Sequence, residues 1–166
     1  MKHNLKGFTL TELLAVVIIL SILTGIAAGT YKKAVERSRF SDGLNMASSV
    51  MSAVERYFYD DPTRTDAKYP TKDKLDISFD NQGTCSTNPN YCFKTKYYET
   101  TITNSNYTEA KRANNLYRVR VYSSAFGANT RVAPQCIGTG NEGKNFCVSV
   151  GYSSCTGSGP YTCSKP

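Results

Sequence analysis
Lys6-Gly7-Phe8-Thr9-Leu10-Thr11-Glu12-Leu13-Leu14 runs without a break into the apolar block 15–23, and this junction decides how the chain is built. Two lysines, Lys2 and Lys6, stand before the Gly7-Phe8 step. About 20 nearly unbroken apolar residues follow it, long enough to cross a bilayer as a helix. A single carboxylate, Glu12, sits among them. An ionisable group in such a span is costly and marks a functional site by default. Positive charge ahead of the span holds that end in the cytoplasm, so the remainder faces outward.

Three fates are open to this segment. A signal peptidase could read the small residues Gly25-Ile26-Ala27 and cut after Ala27. The span could be retained as a signal anchor. A short leader could be removed ahead of the span, at Gly7. Glu12 separates them, because a carboxylate opposes insertion and serves no purpose in an ordinary signal peptide or anchor.

The stretch Lys6 to Leu14 resembles the processing and assembly motif of type IV pilins and of the related pseudopilins of type II secretion. The resemblance covers roughly the first thirty residues, and the short leader is similar to that of the type IVa class. It implies cleavage after Gly7 by a prepilin peptidase, which also methylates the new N-terminal Phe8. It further implies that Glu12, with the Phe8 amine of a neighbouring subunit, guides assembly. A buried ion pair of this kind is not reliably stabilising, whereas an unpaired buried charge is strongly penalised; Glu12 then acts as a register and selection device. The family often has a proline within the apolar half, and this chain has none there. Gly25 and Gly29 are the local weak points instead, each costing about 1 kcal/mol of helix propensity relative to alanine. They read equally well as sites of helix melting and as sites of close helix packing.

The implied organisation is a leader at 1–7, a membrane and filament-core helix at 8–29, an amphipathic helix at 30–59, a connecting region at 60–115, and an antiparallel sheet with a disulfide-rich end at 116–166. In the amphipathic part Phe40, Leu44, Ala47, Met51, Val54 and Phe58 recur at steps of three and four, one apolar stripe. No proline occurs from Phe8 to Asp61, so one helix to about Tyr59 is feasible, roughly 75 Å long. Asp60-Asp61-Pro62 ends it. Beyond, Tyr97 to Thr103 reads as a strand within a long connection with turns at 80–83 and 87–90. Leu116 to Ser123 alternates, with Tyr117, Val119 and Val121 on one side and Arg118, Arg120 and Tyr122 on the other. Arg131 to Ile137 and Asn145 to Tyr152 read as further strands around a glycine-rich turn, Gly138 to Gly143. The tail from Ser153 has no periodic pattern. The fold class is α+β: a long N-terminal helix packed on a small antiparallel sheet of three or four strands.

Composition limits the chemistry. The chain has 166 residues, enough for one head and one appendage. Its mean hydropathy is −0.40 despite the apolar start, so the head is polar and rich in loops. The net charge is +7, and removal of the two leader lysines leaves +5. Six cysteines, Cys85, Cys92, Cys136, Cys147, Cys155 and Cys163, lie in the second half, while the sole histidine, His3, is in the leader. An even count behind a membrane-targeting segment favours disulfides and an oxidising compartment over zinc. Spacing suggests the local pairs Cys85–Cys92, Cys136–Cys147 and Cys155–Cys163, although six cysteines allow many other connectivities.

The single histidine leaves no Ser-His-Asp or Cys-His arrangement. No P-loop, dinucleotide fingerprint or calcium loop is present, and Asp60-Asp61 does not supply the oxygen ligands calcium needs. The expectation is a non-enzyme without cofactor or metal. Arg118 and Arg120, near Tyr122, Lys111 and Arg112, form a basic and aromatic mixture of the kind single-stranded nucleic acid favours; an exposed strand face accounts for it more simply. Asn106-Tyr107-Thr108 matches the glycosylation sequon.

The resemblance implies a type IV pilus subunit, with adhesion, motility or DNA uptake belonging to the fibre. Its partners would be other pilin subunits, the prepilin peptidase and methyltransferase, an inner-membrane assembly platform, and the membrane before assembly. The precursor would lie in the inner membrane with its head outside, and the product would be an extracellular filament. The alternatives are a type II secretion pseudopilin and a soluble secreted binding protein cut after Ala27.

Overall fold
A computed structural model describes residues 7–61, 63, 69–80, 83–103, 106–123 and 132–166. The leader lysines and His3, the proline expected to end the first helix (Pro62), the Asn81-Gln82 part of the first turn, and Arg131 lie outside the described residues. The chain divides into two compact units, Met1–Ser38 and Arg39–Pro166.

Helix α1 runs unbroken through Leu10–Asp60. Both Gly25 and Gly29 are helical, with open space where a side chain would stand. Its first half is apolar on every side, and its second half has one buried face made of Phe40, Gly43, Met46, Ala47, Val50, Met51, Ala53 and Val54. That face is broader than the expected stripe, because a helix covering a sheet buries flanking positions as well as the central row. Leu44 and Phe58 stand at its margins, half-buried.

The head is a seven-stranded antiparallel sheet in the order β1-β2-β3-β4-β5-β7-β6. The strands are β1 (Cys92–Lys94), β2 (Tyr98–Ile102), β3 (Tyr107–Arg112), β4 (Tyr117–Tyr122), β5 (Gln135–Gly138), β6 (Ser154–Thr156) and β7 (Tyr161–Ser164). The strands expected around 97–103 and 116–123 are therefore present, with the predicted faces on β4. The sheet is nearly twice the expected size. β1 and β3 lie in what reads as connection, and β6 and β7 lie in the patternless tail. They escape a periodicity reading because Thr, Ser, Cys, Lys and Glu occupy positions that a longer strand would fill with aliphatics.

One sequence reading is overturned. Asn145–Tyr152 is not a strand; Gly140–Ser149 forms helix α2, and the expected glycine turn supplies its first residues. The apparent alternation Phe146, Val148, Val150, Tyr152 fails at Val148, which is 44% exposed. The helical set Gly143, Phe146, Cys147 and Val150 faces inward instead. Close backbone approach decides the matter: a β-carbon on Gly143 would stand 2.3 Å from the Leu116 carbonyl oxygen, and one on Gly138 would meet the Gly143 backbone. Glycines at both positions let α2 lie directly on β5, where Cys147 bonds Cys136.

The core lies between one sheet face and the second half of α1. Phe93, Thr100, Ala110, Val119, Cys136 and Cys163 stand side by side across six strands, all buried. Phe40 anchors an aromatic cluster with Tyr117, Phe146 and Tyr152 at centroid distances of 5.5, 5.8 and 5.6 Å. Tyr98 passes beneath the helix at Gly43, where its hydroxyl donates to the Arg39 carbonyl oxygen (2.6 Å) and shares a hydrogen bond with the Tyr117 hydroxyl (2.6 Å). Beside the sheet, the exposed pair Arg56–Asp76 (2.8 Å) and the Tyr69 hydroxyl, bonded to Asn106, hold the described part of the connection.

A β-carbon on residue 43 would lie 2.6 Å from the Tyr98 ring. Gly43→Ala should therefore destabilise the head by about 1–3 kcal/mol through overpacking, despite its gain of about 1 kcal/mol in helix propensity. Thermal melts of the full chain in mild detergent, followed by near-ultraviolet circular dichroism, measure this; a raised melting temperature would contradict the close approach.

Glu99 supplies a pH dependence. Burial alone would raise its carboxyl pKa, but hydrogen bonds from the Ser86 hydroxyl and amide, with Lys94 and Lys111 nearby, outweigh burial and hold it below its ordinary 4.5. A depressed carboxyl stabilises the fold above its unfolded pKa, and that contribution is lost as pH falls through the lower folded value. The head should melt lower at pH 3 than at pH 7, and Glu99→Gln should shrink that difference.

Candidate assembly segment and head surface
Gly7, Phe8 and Thr9 precede the first turn of α1. Glu12 lies in that turn, and its Oε2 accepts from the Thr9 amide (2.9 Å) and from the Thr9 hydroxyl (2.7 Å). The Thr9 hydroxyl oxygen in return accepts from the Glu12 amide (3.3 Å). This is a capping box, in which two amides left without helical partners are satisfied reciprocally. Its signature, Thr-x-x-Glu before an apolar run, is present in the sequence. Both contacts use Oε2, which leaves Oε1 uncommitted among the described residues on an exposed side chain. Glu12 can cap its own helix and still accept from a donor on another molecule. Phe8 is 80% exposed, so its backbone nitrogen would be accessible once the bond to Gly7 is cut.

The apolar segment behind it exposes its leucines, isoleucines and valines on all sides. An 18-residue window reaches a mean hydropathy of 2.4, long and apolar enough to cross a membrane. Its hydroxyls are satisfied within the helix: Ser21 donates to the Val17 carbonyl oxygen (2.7 Å), Thr24 to Leu20 (2.6 Å) and Thr30 to Ala27 (2.9 Å). A span whose polar groups are all internally bonded meets the main requirement of a hydrocarbon environment.

The structure pairs the six cysteines locally, as Cys85–Cys92, Cys136–Cys147 and Cys155–Cys163. Cys85, Cys92 and Glu99 come close enough to suggest a metal site, but both sulfurs are committed to the disulfide and neither is a thiolate ligand. Arg118 and Arg120 share one carboxylate, Glu109 on the neighbouring strand, at 3.4 and 2.7 Å, and the Arg120 guanidinium also lies over the Tyr107 ring. Glu109 cancels part of the charge that suggested nucleic-acid contact. Asn106 is exposed, but its side chain accepts from the Tyr69 hydroxyl, and Thr108 of the same sequon is buried, donating to the Ala47 carbonyl oxygen (2.8 Å).

Residues 2–28 match the family model described as the prokaryotic N-terminal methylation motif. The chain is also 42% identical over 60 residues to the fimbrial protein EcpC of Eikenella corrodens, a match covering 36% of this chain and 39% of that protein. The matched region thus spans well under half of that relative's length. No solved structure matches the chain significantly.

Thr9→Ala removes both the cap and the donor that holds Glu12. It should cost about 1 kcal/mol at the helix start, seen as faster amide hydrogen exchange over residues 10–13 in detergent-solubilised chain, with exchange in the head unchanged. Equal exchange in both proteins would show that the box contributes nothing.

Proposed function
We propose, from the premise that this chain is of the type IV pilin family, that it is a structural, non-enzymatic pilus subunit made as a membrane-inserted precursor and polymerised through α1. The methylation motif and the similarity to a fimbrial protein support that premise. The observation that carries the proposal is the arrangement at the helix start: Gly7-Phe8 exposed ahead of a capped turn, and Glu12 bonded through one oxygen with the other open. A prepilin peptidase cuts after Gly7 and methylates Phe8. The new amine is positive, and in the apolar interior of a filament it pairs with Glu12 of a neighbouring subunit.

The energetics favour selection over raw stability. Burial of an ion pair is close to neutral, whereas a carboxylate buried alone costs several kcal/mol. Only a subunit that has been cut offers the amine, so uncut precursor is disfavoured in the filament. The exposed apolar side chains of α1 would find partners in other copies. Adhesion, motility or DNA uptake would then belong to the assembled fibre, with the disulfide-stapled head as its outer surface. A DNA contact at Arg118 and Arg120 is disfavoured by their shared partner Glu109.

The intact mass of the mature chain tests this reading. The expected product starts at Phe8 and carries one added methyl group. A start at Ala28 would refute it in favour of a secreted soluble protein. Recovery of the subunit in sheared surface filaments is expected for a pilus, and its confinement to the cell envelope would identify a type II secretion pseudopilin instead.

A further inference from the structure
Beyond the apolar span the chain carries a concentrated run of cations. Residues 30–40 hold Lys32, Lys33, Arg37 and Arg39 against one carboxylate, Glu36, and the next acidic residue is Asp42. Lys32, Lys33 and Arg37 are exposed. Residues 8–29 contain no lysine or arginine. Removal of a leader that carries Lys2 and Lys6 would therefore leave every basic side chain near the span on its C-terminal flank. That is the reverse of the usual bias, in which cationic flanks remain on the cytoplasmic side. Tyr31, 70% exposed, stands between the span and the cations, the position an interfacial aromatic takes.

Arg39, the last cation of the run, packs on an aromatic ring. The Arg39 guanidinium lies 4.5 Å from the centre of the Tyr97 ring, Arg112 lies 5.3 Å away, and the ammonium of exposed Lys96 lies 5.4 Å away. Arg112 is buried and donates to the Tyr97 carbonyl oxygen (3.1 Å), which ties it to the backbone at that residue. Lys32 stands three positions beyond Gly29, a rise of about 4.5 Å, so the run begins at the headgroup layer of any bilayer the span crosses. A cluster of this size beside a span is what anionic lipid surfaces attract.

We infer that Lys32, Lys33 and Arg37 bind the phosphates of anionic phospholipids in the leaflet from which the head emerges. The inference rests on the proposed membrane-inserted precursor. Its consequence is a lipid preference of the unassembled subunit, independent of the Glu12 contact that selects for assembly.

The test uses the full chain in neutral detergent, offered equal amounts of phosphatidylglycerol and phosphatidylcholine, with retained lipid counted by native mass spectrometry. Phosphatidylglycerol should be retained about tenfold or more over phosphatidylcholine. The preference should fall to near parity in Lys32→Gln/Lys33→Gln/Arg37→Gln and persist in Lys32→Arg/Lys33→Arg. It should also persist in Lys2→Gln/Lys6→Gln. Equal retention by the unaltered chain, an undiminished preference in the triple variant, or loss of preference on changing the leader lysines would each overturn the inference. Flotation of the same chain with vesicles after an alkaline wash separates the two levels: a chain that does not float refutes the membrane reading and this inference with it, while a chain that floats without lipid preference refutes this inference alone.

Discussion
The head depends on one helix face lying close against one sheet face. Three hydrogen bonds mark the seam: Tyr98 of β2 to the Arg39 carbonyl oxygen, Thr108 of β3 to that of Ala47, and Ser123, just past β4, to the Glu55 carboxylate. The helix positions are eight residues apart, and successive strands supply the donors, so α1 crosses the strands and fixes each at one height. Such a seam requires small residues on the helix. Gly43 and Ala47 provide them, and Tyr98 and Thr108 occupy the space. The interior is correspondingly tight, with one orphan among the described residues, the buried Thr100 hydroxyl. Burying an unbonded hydroxyl costs about 1–3 kcal/mol, and no function in the structure accounts for it.

The same helix works under two different constraints. From Leu10 to the end of the apolar block it has no core to cover, so hydrophobicity surrounds it and its few hydroxyls bond their own backbone. From Phe40 onward it covers a sheet, so hydrophobicity narrows to a face and charges occupy the rest. Continuity between the halves needs only the absence of proline. At the N-terminal end the capping box gives Glu12 a partner within its own chain and closes the first turn of the helix.

Disulfides compensate for a head with few aliphatic residues. Each closes a short loop and contributes roughly 2–3 kcal/mol in the chain-entropy model. Their placement also protects the sheet. Cys92 ties edge strand β1 to the preceding loop, and Cys155–Cys163 ties edge strand β6 to β7. Both edges are only three residues long, and short, tethered edges discourage pairing with other chains. The third bond, Cys136–Cys147, fastens α2 to β5.

The sequence alone determined whatever depends on local period and local chemistry. The apolar span, the proline-free helix, its inward stripe, the clean alternation of β4 and the Gly7-Phe8-Glu12 motif are all legible, because a 3.6-residue period, a 2-residue period or a fixed spacing declares each. The capping box is equally legible in Thr9-x-x-Glu12. Tertiary structure alone decided the rest. Strands β1, β3, β6 and β7 are short and polar, and they become strands because neighbours with the right register pair with their backbones. Residues 145–149 alternate like a strand yet belong to a helix, because Gly138 and Gly143 allow backbone contact and Cys136 holds Cys147 against the sheet. The charge of Arg118 and Arg120 likewise depends on a register that places Glu109 beside them. Pairing, close approach and charge compensation join residues distant in the chain, and no local pattern records them.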